Sequence, residues 1–241
     1  MTPTPTTFVK PVGAVAAIAL IGLAGMVFTS PRVHADSSNT DSRIQIGFNI
    51  APVKLNMKGL NPALVGIGSY IVNAQADCNG CHNSPDLGGE WAGGHNPYFG
   101  QPKMVNTAGY LGGGSTFGPF PGKGIGGVGP LTIYSRNLTP DASGLPEGGH
   151  TLQDFITILR TGHDFDAAHP ACSTGKLGAE GCIASPPFSP DVLQVMPWPV
   201  QGNMSDNDIE AIYEYLRAIP CISHAGSTGL PSNLYQTCPA P

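Results

Sequence analysis

Cys78-Asn79-Gly80-Cys81-His82 puts two thiols on one turn of chain and an imidazole directly behind them. That spacing is the attachment pattern of a c-type haem. Each thiol forms a thioether to one vinyl group, and the histidine meets the iron as its proximal ligand. Two other chemistries use Cys-x-x-Cys. A zinc site needs a second ligand pair at similar spacing, and the chain has none. A thioredoxin-like dithiol follows a strand of a βαβ unit, and no such pattern precedes Cys78.

Upstream, Asn61-Pro62 has the form of a helix start, with Asn as cap and Pro at the first helical position. Leu64, Ile67, Gly68 and Ile71 then fall on one face. Gly66 and Gly68 cost helix propensity, which is worth bearing only where another backbone crosses closely. This helix delivers the motif. Further back, Ile44, Ile46 and Phe48 alternate with polar or small residues and predict a short strand in a segment that wraps the domain. At the start of the chain, Lys10, the uncharged run 12–28 and Val33-His34-Ala35 read as a secretory signal cleaved after Ala35. The alternative is an uncleaved anchor helix, although the run is slightly short of the ~20 residues of a membrane span. The expected organisation is a signal peptide at 1–35, an extension at 36–60, the main domain at 61–222 and a tail at 223–241. The expected location is periplasmic or otherwise extracytoplasmic, with membrane attachment only through an uncleaved N-terminal helix.

The full chain carries a net charge of −5. Removing Lys10 and Arg32 with the signal leaves nine basic against sixteen acidic residues, near −7. An acidic surface argues against nucleic acid and suits either a basic patch on a partner or solubility alone. Beyond the motif, Cys172, Cys182, Cys221 and Cys238 remain, and an exported chain favours their oxidation. Of the three pairings open to them, the simplest joins sequence neighbours: Cys172 with Cys182, and Cys221 with Cys238.

Residues 88–149 hold eighteen of the thirty-three glycines. No strand–glycine–helix context or Gly-Lys-Ser/Thr surrounds them, so a phosphate loop is excluded. They read as a long loop with a small ribbon at 131–134. Thr151 caps the next helix, backed by Asp154, with Leu152, Phe155, Ile156 and Leu159 on its apolar face. Residues 163–203 are again loop. Ser205 caps the last helix, whose stripe is Ile209, Ile212, Tyr215, Leu216 and Ile219, and Pro220 ends it.

A haem held by His82 alone can bind gases or peroxide, whereas one with two protein ligands mainly moves electrons. The candidates for a second ligand are Met104, Met196, Met204, His95, His150, His163, His169 and His224. Met196 is preferred, because Val195-Met196-Pro197-Trp198-Pro199 is a proline-stiffened loop able to present a thioether without bending a helix. Met204, beside the helix cap, is its nearest rival and suits core packing.

From residue 61 to about 220 these features resemble a class I-type monohaem cytochrome c: a helix, Cys78–His82, a wrapping loop, Met196-Pro197, and a final helix with Tyr215-Leu216-Arg217. Ser135-Arg136-Asn137-Leu138-Thr139-Pro140-Asp141, followed by Gly144 and the Thr151 helix, is similar to the haem modules in cytochrome subunits of periplasmic alcohol and gluconate dehydrogenases. Those subunits usually carry three haem motifs, and this chain has one. The resemblance implies an all-α, cytochrome c-like domain with long Gly/Pro-rich haem-wrapping loops and little strand. It implies that the first and last helices cross near Gly66, Gly68 and Tyr215, and that the Thr151 helix covers the haem edge. It offers Arg136, Asn137 and Arg160 as holders of the haem propionates.

The expected function is single-electron carriage between redox proteins, with one covalent haem c, iron ligated by His82 and Met196, and no catalytic residue. Partners would be a periplasmic dehydrogenase, a terminal oxidase or another cytochrome. The competing functions are a peroxidase-type enzyme with a distal His163 or His169, and a gas-binding or sensing protein. Both require an open sixth site.

Overall fold

The computed structural model describes residues 41–120, 131–165, 192–231 and 234–239. The expected signal peptide, Cys172, Cys182 and His169 lie outside them. The described residues belong to one compact unit, Thr40–Pro241. They are mostly helical with a small two-stranded sheet.

The core is built on two helices, α2 (Pro62–Tyr70) and α7 (Asp206–Ala218). Asn61 caps α2 by accepting from the Ala63 N–H, and Ser205 caps α7 by accepting from the Asp208 N–H. Val65, Ile67, Ile71 and Val72 pack against Ile209, Ile212, Tyr215 and Leu216, all buried. Each such side chain contributes about 1.5–3 kcal/mol on leaving water. The helices can approach this closely because Gly68 carries no side chain: a Cβ there would stand 1.9 Å from the Ala211 carbonyl oxygen.

Gly66 serves a different neighbour from the one expected. It faces Ile44 of α1 (Ser42–Ile50), a helix where alternation predicts a strand. Ile44, Gly47 and Phe48 recur at helical spacing and form the docking side. Ile46, which completes the alternating pattern, is 42 % exposed. A Cβ on Gly47 would meet the Gly66 carbonyl oxygen at 1.9 Å, and Ser69 Oγ donates to the Gly47 carbonyl at 2.7 Å. Thus Gly47 and Gly66 seat α1, and Gly68 seats α7.

After α2 the chain widens into a π-helical turn, Ile71–Gln75, in which the Ala76 N–H reaches the Ile71 carbonyl. This turn presents Asn73 to two buried tyrosines. Tyr110 Oη donates to Asn73 Oδ1 at 2.5 Å, Asn73 Nδ2 donates to Tyr215 Oη at 3.2 Å, and the two tyrosine hydroxyls lie 2.9 Å apart. The network ties the glycine-rich loop to α7 with its buried polar groups satisfied.

Beyond α3 (Cys78–His82), the loop holds an antiparallel ribbon of β1 (Thr116–Phe120) and β2 (Leu131–Tyr134). Thr116 pairs with Tyr134, and the register slips between Phe117 and Phe120. A short helical turn, α4 (Pro146–Gly149), leads to α5 (Leu152–Thr161). The capping box on α5 is complete: Thr151 Oγ1 accepts from the Asp154 N–H, and Asp154 Oδ2 from the Thr151 N–H. The short α6 (Trp198–Gln201) precedes α7. The tail is bonded through the Cys221–Cys238 disulfide, one of the two expected pairs.

Candidate functional site

Asp77 enters α3 in the left-handed conformation (φ 47°), which turns the chain sharply between the π-helical turn and the Cys78–His82 helix. Asn79 Oδ1 accepts from the Leu111 N–H at 3.0 Å, and Asn83 Nδ2 donates to the carbonyls of Asn79 and Gly80. His82 is held at both ends. Its carbonyl accepts from the Gly113 N–H at 2.7 Å, and its Nδ1 lies 2.8 Å from the Arg136 carbonyl oxygen. A carbonyl only accepts, so Nδ1 carries the hydrogen and Nε2 keeps a lone pair. Burial lowers the pKa of His82, and the nearby Arg136 charge acts the same way against the raising effect of the carbonyl bond. Both effects favour the neutral ring, and the carbonyl bond fixes its tautomer.

Cys78, Cys81 and His82 line a cavity of about 620 Å³, within the ~300–1,000 Å³ of cofactor sites. Its apolar wall includes Leu138, Phe155, Ile212 and Leu216. Burial pushes the Cys78 thiol up to about 12, with Asp77 and Cys81 adding to the effect, and burial also raises Cys81. A dithiol oxidoreductase needs a readily formed thiolate, and these thiols are tuned the opposite way. Among the described residues no group of three His, Cys, Asp or Glu side chains is placed to hold a metal ion. Paired thiols, one nitrogen lone pair and a mainly apolar cavity do suit a covalently bound haem.

The same cavity is lined by Met196 and Met204. Met196 sits in a loop braced against the end of α5. The Leu193 N–H donates to the Gly162 carbonyl at 2.7 Å, and Trp198 Nε1 donates to the Leu193 carbonyl at 3.3 Å. The Trp198 ring fills the space over Gly162, where a Cβ would come within 2.4 Å of it. The other candidate ligands in the described residues lie off the cavity wall. Met104 is half exposed, His150 and His163 pack on Phe165, and His224 is held by Asp86 and Gly112. His95 keeps a buried Nδ1 that has no partner among the described residues.

The three expected propionate holders are dispersed. Arg136 lines the cavity, and its guanidinium binds both carboxylate oxygens of Asp164, at 2.7 and 2.9 Å. Asn137 is a buried fastener off the wall. Its Nδ2 donates to the Ile222 carbonyl at 2.8 Å, and its Oδ1 accepts from the N–H and hydroxyl of Thr139. Arg160 is also off the wall, joining α5 to the Gly202 carbonyl and to Asp206 at the start of α7. Sequence reasoning does not identify Asp164, Glu147 or Gln194, which line the cavity. Asp164 and Gln194 sit in irregular segments and Glu147 in the four-residue α4 turn, where its own backbone is left-handed, so none of them carries a periodic signal.

No family model matches the chain, and no solved structure matches it. Over 156 residues it is 30 % identical to the alcohol dehydrogenase (quinone) cytochrome c subunit of Gluconobacter oxydans (strain 621H). That stretch is 64 % of this chain and 21 % of the relative's length. The similarity points to a cytochrome c relationship and fits an electron-transfer role.

Proposed function

We propose that this chain is an exported monohaem c-type cytochrome that carries single electrons between redox proteins, one of them a dehydrogenase. The observation that carries the reading is the shared wall: Cys78, Cys81, His82 and Met196 line one mainly apolar cavity although more than a hundred residues separate the motif from the methionine. The haem, when bound, supplies a one-electron iron couple. Cys78 and Cys81 tether it by thioethers. His82 offers Nε2, oriented through the Arg136 carbonyl. Met196 would offer its sulfur from a loop braced by Trp198 and Gly162. The apolar wall excludes water, and thioether ligation favours the reduced state. Export through the N-terminal segment belongs to the same proposal, since haem attachment of this kind and the Cys221–Cys238 disulfide both suit an oxidising compartment.

Two measurements test it. Acidic acetone should leave the haem on the denatured protein; haem released into the solvent refutes attachment. Met196→Ala should then open the sixth site, admitting carbon monoxide and lowering the midpoint potential, while Met204→Ala keeps the wild-type spectrum. The reverse pattern would move the ligand to Met204, which lines the same cavity. Unchanged spectra in both variants would refute methionine ligation.

A further inference from the structure

His224 lies in the C-terminal tail, far in sequence from the haem motif, yet its side chain is completely buried. Its backbone is left-handed, with φ 54°. That region is uncommon for a residue with a side chain and persists only where the surroundings impose it. Here they impose it through the ring. Nδ1 lies 2.9 Å from Asp86 Oδ2, and Nε2 lies 2.7 Å from the Gly112 carbonyl oxygen. Tyr235 stands edge-on to the imidazole with ring centres 6.5 Å apart, and Ser227 donates to the same Asp86 oxygen. Hydrogen bonds from Ser227 and His224 outweigh the burial that would raise Asp86, and its carboxyl sits below the ordinary value.

The bond to Gly112 leads to the site. The next residue, Gly113, donates its N–H to the His82 carbonyl at 2.7 Å. Gly113 also lies against the Arg136 peptide, so closely that a Cβ there would be 2.4 Å from the Arg136 carbonyl oxygen. That oxygen is the partner of His82 Nδ1. The tail grips the second segment as well. The Ile222 N–H donates to Thr139 Oγ1 at 3.0 Å, the Ile222 carbonyl accepts from Asn137, and Gln236 Nε2 donates to Thr139 Oγ1 at 2.7 Å. The Cys221–Cys238 disulfide closes the tail into a strap over both segments.

We infer that His224 is a positioning residue for His82, acting through the Gly112–Gly113 peptide within a disulfide-closed C-terminal strap. The inference rests on the reading of His82 as the iron's proximal ligand. Its physical content is that the groups bonded to the ligand's Nδ1 and carbonyl set its orientation and donor strength. The Nδ1–H···O=C bond makes the imidazole a stronger donor and favours the oxidised iron. Slack at Gly112 lets the Gly113 and Arg136 peptides drift from His82 and weakens that bond.

The experiment uses the full holoprotein. His224→Phe keeps a ring of similar volume without either hydrogen bond. His224→Gln keeps a donor able to reach the Gly112 carbonyl. The readouts are the midpoint potential, the electron paramagnetic g-values of the oxidised iron, and hydrogen exchange at the Gly113 amide. His224→Phe should raise the potential, shift the g-values and speed Gly113 exchange roughly tenfold through easier local opening. His224→Gln should stay near wild type in all three. A folded His224→Phe protein with wild-type potential, g-values and exchange, altered only in thermal stability, overturns the inference, as does a His224→Gln protein equal to the Phe variant. If His224→Phe does not accumulate, Asp86→Asn is read in its place: smaller shifts of the same sign support the inference and wild-type values overturn it. Wild-type protein without covalent haem overturns the functional reading and the inference with it.

Discussion

Gly68→Ala isolates the contact on which the α2–α7 core depends. The added Cβ would stand 1.9 Å from the Ala211 carbonyl oxygen, 2.5 Å from its carbon and 2.8 Å from Tyr215 Cβ. Ordinary contact begins at about 3.4 Å, so the helices would have to part by about 1.5 Å at the crossing. The nearest obstacle is backbone, which cannot swing aside as a flexible side chain can. Overpacking typically costs ~1–3 kcal/mol, and a fixed backbone obstacle places this case at the upper end. Alanine restores about 1 kcal/mol of helix propensity. The expected net loss is ~2 kcal/mol, a large share of a domain stability of ~5–15 kcal/mol. Urea unfolding, followed by far-ultraviolet dichroism and tryptophan fluorescence, measures it. Gly93→Ala is the control: it has nothing within 4 Å of its would-be Cβ and should change stability by less than ~0.5 kcal/mol. A Gly68→Ala protein as stable as wild type, or more stable, would refute the close crossing and leave propensity as the only effect of that glycine.

Thr151→Ala removes the hydroxyl that accepts from the Asp154 N–H and should cost about 1 kcal/mol, seen as a lower urea midpoint at unchanged slope. An unchanged midpoint would mean that α5 is held by packing alone. Asp86 has a depressed folded pKa, so its contribution is complete above the unfolded carboxylate value of ~3.9 and is lost as pH falls through the folded value. The stability gap between wild type and Asp86→Asn should therefore narrow below about pH 4; a constant gap across that range would contradict the role given to its ionised form.

The elements legible in the sequence are those whose cause is local. Thr151 with Asp154, Asn61 with Pro62, and Ser205 are caps whose partners lie within a few residues, and each sits where the sequence puts it. The buried stripe of α7 is legible for the same reason, whereas of the ribbon only the 131–134 strand is, its partner Thr116–Phe120 lying within the glycine-rich loop. The misread element, α1, shows the limit of three-residue alternation. Ile44, Ile46 and Phe48 fit a strand, but Ile44, Gly47 and Phe48 fit a helix face equally well. The choice between them lies in Gly66, a distant residue whose missing side chain admits the Gly47 backbone. Gly66 and Gly68 signal that backbones approach; which helix uses which glycine depends on three helices at once and is written in no single segment.

The site divides along the same line. Cys78, Cys81 and His82 are adjacent, so their shared wall follows from one short helix. The orientation of the His82 ring comes from a main-chain oxygen at Arg136, and every residue has a main-chain oxygen, so no side-chain pattern marks it. Sequence reasoning selects Arg136 for its guanidinium, whereas the atom that touches His82 is its carbonyl; the guanidinium binds Asp164. Arg160 and Asn137 go further in that direction, because their polar groups are engaged by backbone and carboxylate partners that only the folded chain supplies. A polar residue in such a motif is therefore ambiguous between cofactor contact and loop fastening. What resolves it is the count of its remaining hydrogen-bond capacity. Asn137 spends its Nδ2 on the Ile222 and Leu234 carbonyls of the C-terminal strap and its Oδ1 on Thr139, which in turn accepts from the Ile222 N–H and from Gln236.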